Sequence, residues 1–334
     1  MRATDALTIL RDRRDGGEAR PSVGRSLDLS CRTLIGADLR GLDLAGADLR
    51  GADLSRADLR GASLVGARLD GAVLHETRLE HAELLGASLV GADLTEVRAE
   101  RAGFGGADLS RCRALSAHLD GATLTGARIE EADLRAASLR GARLRELTLR
   151  GVVLHRADLR DADLGNCRVA GASFRDADLR EAHLRGIHDY ADADWIGVDI
   201  RHTDFCGAWL LRRHILDENY LYEFRTRSRG HAITWAIWWA TSDCGRSVTR
   251  WTAWTLLLSL VYAGLYRLVD LQGVQHPLDT LYFSVVTFTT LGYGDLLPVS
   301  PAAKLLTMSE VLFGYVALGG VLSILANKMA RRAG

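Results

Sequence analysis

A repeat with a period of five residues constrains this fold more than any other feature. Stepping by five from Leu29 to Leu184 meets an apolar residue at all 32 positions, and 26 of them are leucine. Two residues earlier in each repeat, 23 of the 32 positions are alanine. A helix places apolar residues about every 3.6 positions and a strand every second position, so neither explains this period. The pattern instead predicts a chain that turns a corner every five residues, with Leu and Ala pointing inward.

The repeat unit reads A-D-L-R-G, and four such sides make one coil. This pattern resembles the pentapeptide-repeat family, whose fold is a right-handed quadrilateral β-helix. The resemblance covers residues 27–210 and implies eight coils stacked at the inter-strand spacing of ~4.8 Å. After Leu184 the register slips by one and resumes at Trp195, Ile200 and Phe205. We interpret these residues as a distorted last coil or cap, which a solenoid requires.

Charge gives no indication of a nucleic-acid partner. The 334 residues include 42 basic and 42 acidic side chains. Residues 27–184 carry 25 acids and 22 arginines. Some pentapeptide-repeat proteins imitate DNA with a strongly acidic surface, and this near-balance argues against that role here. We therefore expect no nucleic-acid partner, although a protein or ligand could bind the β-helix.

Cysteine and histidine spacing predicts no metal site and no cofactor. The five cysteines show no CxxC pair, which favours a reduced compartment. Cys112 and Cys167 replace alanine at the small inward position and are interpreted as core thiols. Four repeat histidines occupy different positions in the unit: His75, His118, His155 and His183. The sequence also contains no nucleophile–base constellation or phosphate-binding loop, so an enzyme is not expected.

The composition changes near Arg250. Two apolar stretches, Trp251–Val269 and Leu305–Asn327, are each about as long as a membrane span. The other interpretation is two buried helices of a soluble domain. Between the β-helix and the first stretch, His231–Ala240 is too short to span, and its aromatic residues favour an interfacial helix. Arginines precede the first stretch and follow the second, so the positive-inside rule places both termini in the cytoplasm.

The segment between the two stretches reads "HPLDTLYFSVVTFTTLGYGDLLP". Pro277 can start a helix, and Leu278–Thr289 is apolar enough to dip into the membrane. A re-entrant helix followed by irregular backbone is tolerated there only when protein shields it or when it lines a water-filled path. The glycines after the helix permit backbone angles that point successive carbonyls in one direction. A ring of such carbonyls can replace the hydration shell of a potassium ion.

These residues resemble a potassium-channel pore, in which T-x-T-T-V-G-Y-G-D forms the selectivity filter. The resemblance covers residues 249–330 and implies a homotetramer with potassium as the permeant ion. The ion-binding residues that it implies are Thr290, Leu291, Gly292, Tyr293 and Gly294. Tyr293 would brace the filter and Asp295 would lie at the outer mouth. One departure is Leu291, which stands where the family has Val or Ile and which lacks their β-branch.

Four further residues in the second span draw attention. Gly314 lies about where the family places a gating hinge, and Gly319 and Gly320 follow it. Close helix packing is the alternative interpretation of these glycines. Glu310 is an acid within the span, so it should face protein or water. We expect it to make a hydrogen bond to the pore helix or to a neighbouring subunit.

The sequence thus predicts four segments: 1–26, an N-terminal segment; 27–210, a cytoplasmic β-helix; 211–248, a basic and aromatic linker; and 249–334, an all-α pore domain with two transmembrane helices and a re-entrant pore helix. The predicted function is a homotetrameric potassium channel in the cell membrane. Only one span precedes the pore and no separate arginine-rich span exists, so no voltage sensor is expected. The alternative is a membrane-anchored interaction protein that does not conduct ions.

Overall fold

The computed structural model describes residues 27–333, so the predicted N-terminal segment lies outside the described residues. The chain divides into two compact units, Met1–Tyr222 and Glu223–Gly334.

Backbone hydrogen bonds in the first unit connect residues one coil apart. Parallel β-bridges join positions separated by twenty residues, beginning with Asp28 and Asp48. The N–H of Leu29 donates to the carbonyl of Asp48 at 2.7 Å, and the same step recurs along the repeat. Twenty residues per coil are four sides of five residues. The predicted quadrilateral β-helix is therefore confirmed.

A tight turn at each corner explains the glycine of the repeat unit. At one corner the N–H of Ala37 donates to the carbonyl of Leu34 at 3.1 Å. Gly36, the third residue of that turn, has a φ of 62°. A positive φ at this position defines a type II turn and favours glycine. The five-residue period is thus the distance from one such turn to the next.

The core of this unit consists of stacked inward-facing side chains. Nearly every leucine and alanine of the repeat is fully buried. Thr77 replaces an inward alanine, and its hydroxyl donates to the carbonyl of Leu54 at 2.7 Å. Cys112 and Cys167 are buried in the same column of small residues, as predicted. Their burial in apolar surroundings raises the pKa of each thiol to about 12.

The last coil is one residue longer than the others. A 3₁₀ turn at Tyr190–Asp192 takes up the extra residue, and Ser173 pairs with Asp194, twenty-one positions on. The buried indole of Trp195 stacks on the ring of Phe174 with 4.4 Å between centroids. This is the register slip that the sequence indicates after Leu184.

A helix that the sequence analysis did not identify closes the core of the first unit. This helix, α1, spans Trp209–Thr226. Leu211 and Ile215 on α1 are buried in the same core as the leucines of the coils. The amide of Asn219 donates to the carbonyl of Trp195 at 2.9 Å. The compact unit consequently extends to Tyr222, past the predicted boundary at residue 210.

The second unit is mainly helical. Its helices are α2 (Arg229–Ser242), α3 (Val248–Leu265), α4 (Asp279–Phe288) and α5 (Pro301–Ala333). A 3₁₀ turn at Tyr266–Leu268 extends α3. Two short strands, β1 (Leu271–Gln272) and β2 (Leu297–Pro298), pair antiparallel. This pairing brings together the two ends of the connection that contains α4.

One helix among the described residues is long enough and apolar enough to cross a membrane, and it is residues Pro301–Ala326 of α5. The sequence predicts two such helices. The other helix, α3, has 18 residues and carries Arg250 in its first turn. Its tryptophans, threonines and serine also lower its mean hydropathy, because these side chains are less apolar than leucine. Both predicted spans are helical. Only the second, in α5, is by itself long enough and apolar enough to be a membrane span.

The aromatic helix predicted at His231–Ala240 is α2. The Ser228 hydroxyl caps its N-terminus by accepting from the N–H of His231 at 3.3 Å. The guanidinium of Arg225 lies 5.1 Å from the ring centre of Trp235. Ile233 and Ile237 are exposed. Its position at a membrane interface stays a prediction.

Candidate functional site

The re-entrant helix α4 lies between α3 and α5 and places the glycine-containing segment after it. Its first turn is fixed from outside the helix. One oxygen of the Asp279 carboxylate accepts from the N–H groups of Gln275 and His276, each at 2.7 Å. Phe283 is buried and packs edge-on against the ring of Tyr266, with 4.9 Å between centroids. Both contacts restrict how α4 can move relative to the end of α3.

A buried carboxylate joins all three helices of this site. Glu310 on α5 is fully buried. Its Oε2 accepts from the hydroxyl of Tyr266 at 2.7 Å, and its Oε1 lies 2.5 Å from the hydroxyl of Ser284 on α4. The Ser284 hydroxyl also lies 2.8 Å from the carbonyl of Ser259 on α3. This is the hydrogen bond to the re-entrant helix that the sequence analysis expected for Glu310. Burying a carboxylate is costly unless it is hydrogen-bonded, and here both of its oxygens are.

The sequence alone does not identify the partners of Glu310. Tyr266 and Ser284 each lie in or beside an apolar run, where a hydroxyl must find a partner. That requirement marks them as candidates. The sequence does not say which of the several hydroxyl groups in these runs meets Glu310, because that depends on how the helices cross.

The glycines of α5 differ in what surrounds them. A Cβ on Gly314 would collide with the backbone carbonyl of Phe288, so α5 and the end of α4 approach closely there. A Cβ on Gly320 would collide with the indole of Trp251, whose N–H donates to the carbonyl of Ala317 at 2.9 Å. A Cβ on Gly319 would meet nothing within 4 Å. These contacts support close packing at two of the three predicted hinge candidates.

The segment after α4 has neither helical nor strand structure until β2. Three alternate residues have positive φ values: Thr290 at 57°, Gly292 at 52° and Gly294 at 80°. Leu291 and Tyr293 between them do not. Two of the three positions are glycines, which adopt this conformation without steric cost. Alternation of left-handed and right-handed residues turns successive peptide planes so that their carbonyls can face the same side.

The first part of this segment is tied to α4. The N–H of Thr290 donates to the carbonyl of Thr287, and that of Leu291 donates to the carbonyl of Val286, both at 3.0 Å. At its far end, the N–H of Leu296 donates to the carboxylate of Asp295 at 3.2 Å. The helix therefore holds the first end of the segment in place.

In a single chain, most side chains of this segment are exposed. Leu291 is 59% exposed and Tyr293 is 67% exposed. Thr290 and Asp295 are exposed as well. The expected brace by Tyr293 stays a prediction, because within one chain its ring lies in the open.

Metal-ligating side chains do not gather elsewhere in the described part of the chain. Between residues 27 and 333 no group of three or more His, Cys, Asp or Glu side chains could hold a metal ion.

Family models match both parts of the chain. Residues 254–331 match the model described as "Ion channel". Eight copies of the model described as "Pentapeptide repeats" match within residues 37–187. The chain thus combines pentapeptide repeats with an ion-channel segment, as the sequence motifs predict. Neither model describes an enzyme. The channel match and the apolar helix α5 together indicate a membrane location for the second unit.

Curated relatives match over the pore segment. "Two pore potassium channel b" from Oryza sativa subsp. japonica is 51% identical over 55 residues, which is 16% of this chain and 16% of that protein. "Voltage-gated potassium channel Kch" from Escherichia coli is 38% identical over 61 residues, which is 18% of this chain and 15% of that protein. The chain spans about a sixth of the length of these relatives.

Among solved structures, the first unit is similar to HetL, a pentapeptide repeat protein from the cyanobacterium Nostoc. The identity is 29%, and the match covers 60% of this chain and 97% of that one. The TM-score is 0.37, which is too low to support an argument about this chain.

Proposed function

We propose that the chain is the subunit of a homotetrameric, potassium-selective channel in the cell membrane. One observation carries the proposal: the T-x-T-T-L-G-Y-G-D segment follows a helix buried between two others, and its backbone has left-handed residues at 290, 292 and 294. This is the conformation that lets carbonyl oxygens take over the role of a hydration shell. The relatives' printed names as potassium channels support the choice of ion.

Four copies are needed because one such segment cannot surround an ion. The exposed Leu291 and Tyr293 side chains would then be covered by neighbouring copies or by the tetramer's own pore helices. The ion ligands would be the carbonyls of residues 290–293, with the Thr290 hydroxyl as the innermost one. No resident cofactor is involved, and potassium is the transported ion.

Glu310 gives the proposed filter its support from behind. Through Ser284 and Tyr266 the carboxylate ties α4 to both flanking helices. A filter binds ions through weakly held carbonyls, so its backbone must be positioned by groups that do not move with the ion. Val286, whose carbonyl accepts from the N–H of Leu291, is apolar and buried, and the buried carboxylate beside α4 comes from Glu310 on α5.

The arginines before α3 and after the apolar part of α5 support a topology with both termini in the cytoplasm. In this topology the β-helix is cytoplasmic. We propose that it regulates opening or docks a partner.

The test is potassium flux into liposomes that hold the purified full chain, with sodium compared and barium as the blocker. We expect potassium-selective, barium-sensitive flux that Gly292→Ala reduces at least tenfold, because alanine disfavours the left-handed φ of 52°. Gly264→Ala is the matched control. Gly264 lies in α3 outside the left-handed region, with nothing within 4 Å of a new Cβ, so its flux should stay normal.

A closed pore could hide the activity, so a second measurement does not depend on opening. Potassium, but not sodium, should raise the temperature at which the tetramer dissociates, because an ion that binds only the assembled filter stabilises it. Gly292→Ala should remove this difference. A tetramer with neither flux nor a potassium-dependent shift would contradict the channel and favour the non-conducting anchor.

A further inference from the structure

On one face of the β-helix a glycine lies between two arginines on successive coils. On this face the residues that follow the inward leucine stack from coil to coil as Arg145, Gly165 and Arg185. Coils lie ~4.8 Å apart, so the two arginine backbones are separated by about 10 Å. Gly165 between them has no side chain, and a cavity of about 230 Å³ lies there. The wall of this cavity is formed by Arg145, Asp163, Gly165, Asn166, His183 and Arg185.

A carboxylate lies beside the Nε atom of each arginine in this cavity. The Nε of Arg185 donates to the Asp204 carboxylate at 2.6 Å. The Nε of Arg145 lies 3.7 Å from Asp163, whose other oxygen accepts from the N–H of Gly165 at 3.0 Å. Within residues 27–333, the terminal Nη groups of both arginines donate no hydrogen bond. Arg185 is thus hydrogen-bonded through Nε, Arg145 lies near its carboxylate without a hydrogen bond, and the Nη edge of each guanidinium is available to a second anion.

The remaining wall of the cavity adds an uncharged donor. Asn166 occupies a corner in the left-handed conformation, with a φ of 59°. Its Oδ1 approaches Gly186 on the next coil so closely that a Cβ there would collide with it. The amide makes no hydrogen bond to any described residue of the chain, so its NH2 group can donate to a ligand. Together with the Nη groups of the two arginines, it gives the cavity unused N–H donors, which an oxyanion needs.

We propose that this cavity, formed around Gly165, binds a phosphate group, either as the free ion or as the phosphoryl end of a small molecule. Arg145 and Arg185 approach from opposite sides, so the ligand must offer oxygens in both directions. A tetrahedral phosphoryl group does so, whereas a carboxylate presents both oxygens on one side. Arginine forks bind phosphate through paired, charge-assisted hydrogen bonds. The cavity has room for the phosphoryl group and a few further atoms. The cavity would then be the ligand-binding site of the β-helix.

The test measures binding of inorganic phosphate to the full chain in detergent by isothermal titration calorimetry, at constant ionic strength in chloride. Adenosine monophosphate and acetate are titrated in parallel. We expect saturable phosphate binding in the millimolar range or tighter, with acetate at least tenfold weaker. Tighter binding of the nucleotide than of phosphate would indicate a phosphate ester as the natural ligand, and equal binding would indicate the free ion.

Gly165→Leu is the decisive variant, because it fills the gap without adding a charge. Gly165 lies outside the left-handed region, so the change brings no backbone strain, and the new Cβ would lie 3.1 Å from Oδ1 of Asp163. It should weaken phosphate binding at least tenfold. Gly103→Leu is the control, since it adds the same side chain to the same face where nothing lies within 4 Å of a new Cβ.

A second pair of variants guards against misfolding of the first. Arg145→Gln should weaken phosphate binding at least fivefold. Arg135→Gln, which removes an arginine of similar exposure that is paired with Asp133 on another face, should leave it within twofold. Phosphate binding that is absent, or equal in all these variants, would overturn the proposal. Calorimetry on the full chain measures phosphate binding and not ion flux. Its result can therefore be interpreted whether or not the chain conducts potassium.

Discussion

At the scale of single residues, Glu310 has a large predicted effect on the pore. Glu310→Ala removes the acceptor that the hydroxyls of Tyr266 and Ser284 share, and leaves them only the Thr307 hydroxyl at 3.3 Å and the Ser259 carbonyl at 2.8 Å. Each lost hydrogen bond costs about 0.5–1.5 kcal/mol. We expect a lower dissociation temperature of the tetramer and at least a tenfold loss of potassium flux. Ser323→Ala, at an exposed position of the same helix, is the control and should change neither quantity.

Single cysteines give a residue-scale test of the β-helix. Cys112 and Cys167 are buried, and burial raises the pKa of each thiol to about 12, so the reactive thiolate is scarce at pH 8. Cys31 and Cys206 are exposed. We expect a maleimide to label these two within minutes in the native protein. Labelling of the buried pair should require denaturant. Mass spectrometry of tryptic peptides distinguishes the sites, and fast native labelling of Cys167 would contradict the packed core.

At the scale of the structural element, the corner of the coil can be tested by adding one methyl group. Gly61 has a φ of +62° with nothing within 4 Å of a new Cβ. Gly61→Ala should therefore cost only the left-handed conformation, about 1–2 kcal/mol. Gly103→Ala, which is equally open but outside the left-handed region, should be neutral or slightly stabilising. Thermal unfolding followed by circular dichroism compares them, and equal midpoints would contradict the assigned turn.

At the scale of the whole molecule, the two units define where the β-helix can be removed. Leu211 and Ile215 belong to its core, so a deletion that ends at residue 205 would leave them exposed. Deletion of residues 1–222 follows the boundary between the units instead. We expect the remaining chain to keep its preference for potassium over sodium and to change its open probability. Single-channel recording measures both, and an unchanged open probability would remove the regulatory role of the β-helix.

Local repetition made the first unit predictable. Each coil repeats the same inward leucine, small neighbour and corner glycine, so twenty residues already specify the geometry of the next twenty. The extra residue near Tyr190 was visible as a register slip. The closing helix α1 was not visible in the sequence. Leu211 and Ile215 belong to no repeat, and only the position of the last coil makes them core residues.

The filter motif was predictable for a similar reason. Residues 287–295 are contiguous, and glycine at 292 and 294 permits the left-handed values found there. The roles of the filter residues as ion ligands remain predictions. Among the described residues only α5 meets the requirements of a span, because Arg250 and the tryptophans, threonines and serine of α3 lower the mean hydropathy of that helix.

The sequence by itself determined the coil, its corners, the order of the two units and the position of the filter, because each follows from a short contiguous pattern. Only the tertiary structure decided which hydroxyls meet Glu310, where Gly314 touches the backbone of Phe288, and that Gly165 opens a cavity between two arginines. These contacts join residues about 20 to 45 positions apart. Their geometry depends on helix crossings and coil stacking, and no local pattern in the chain records it.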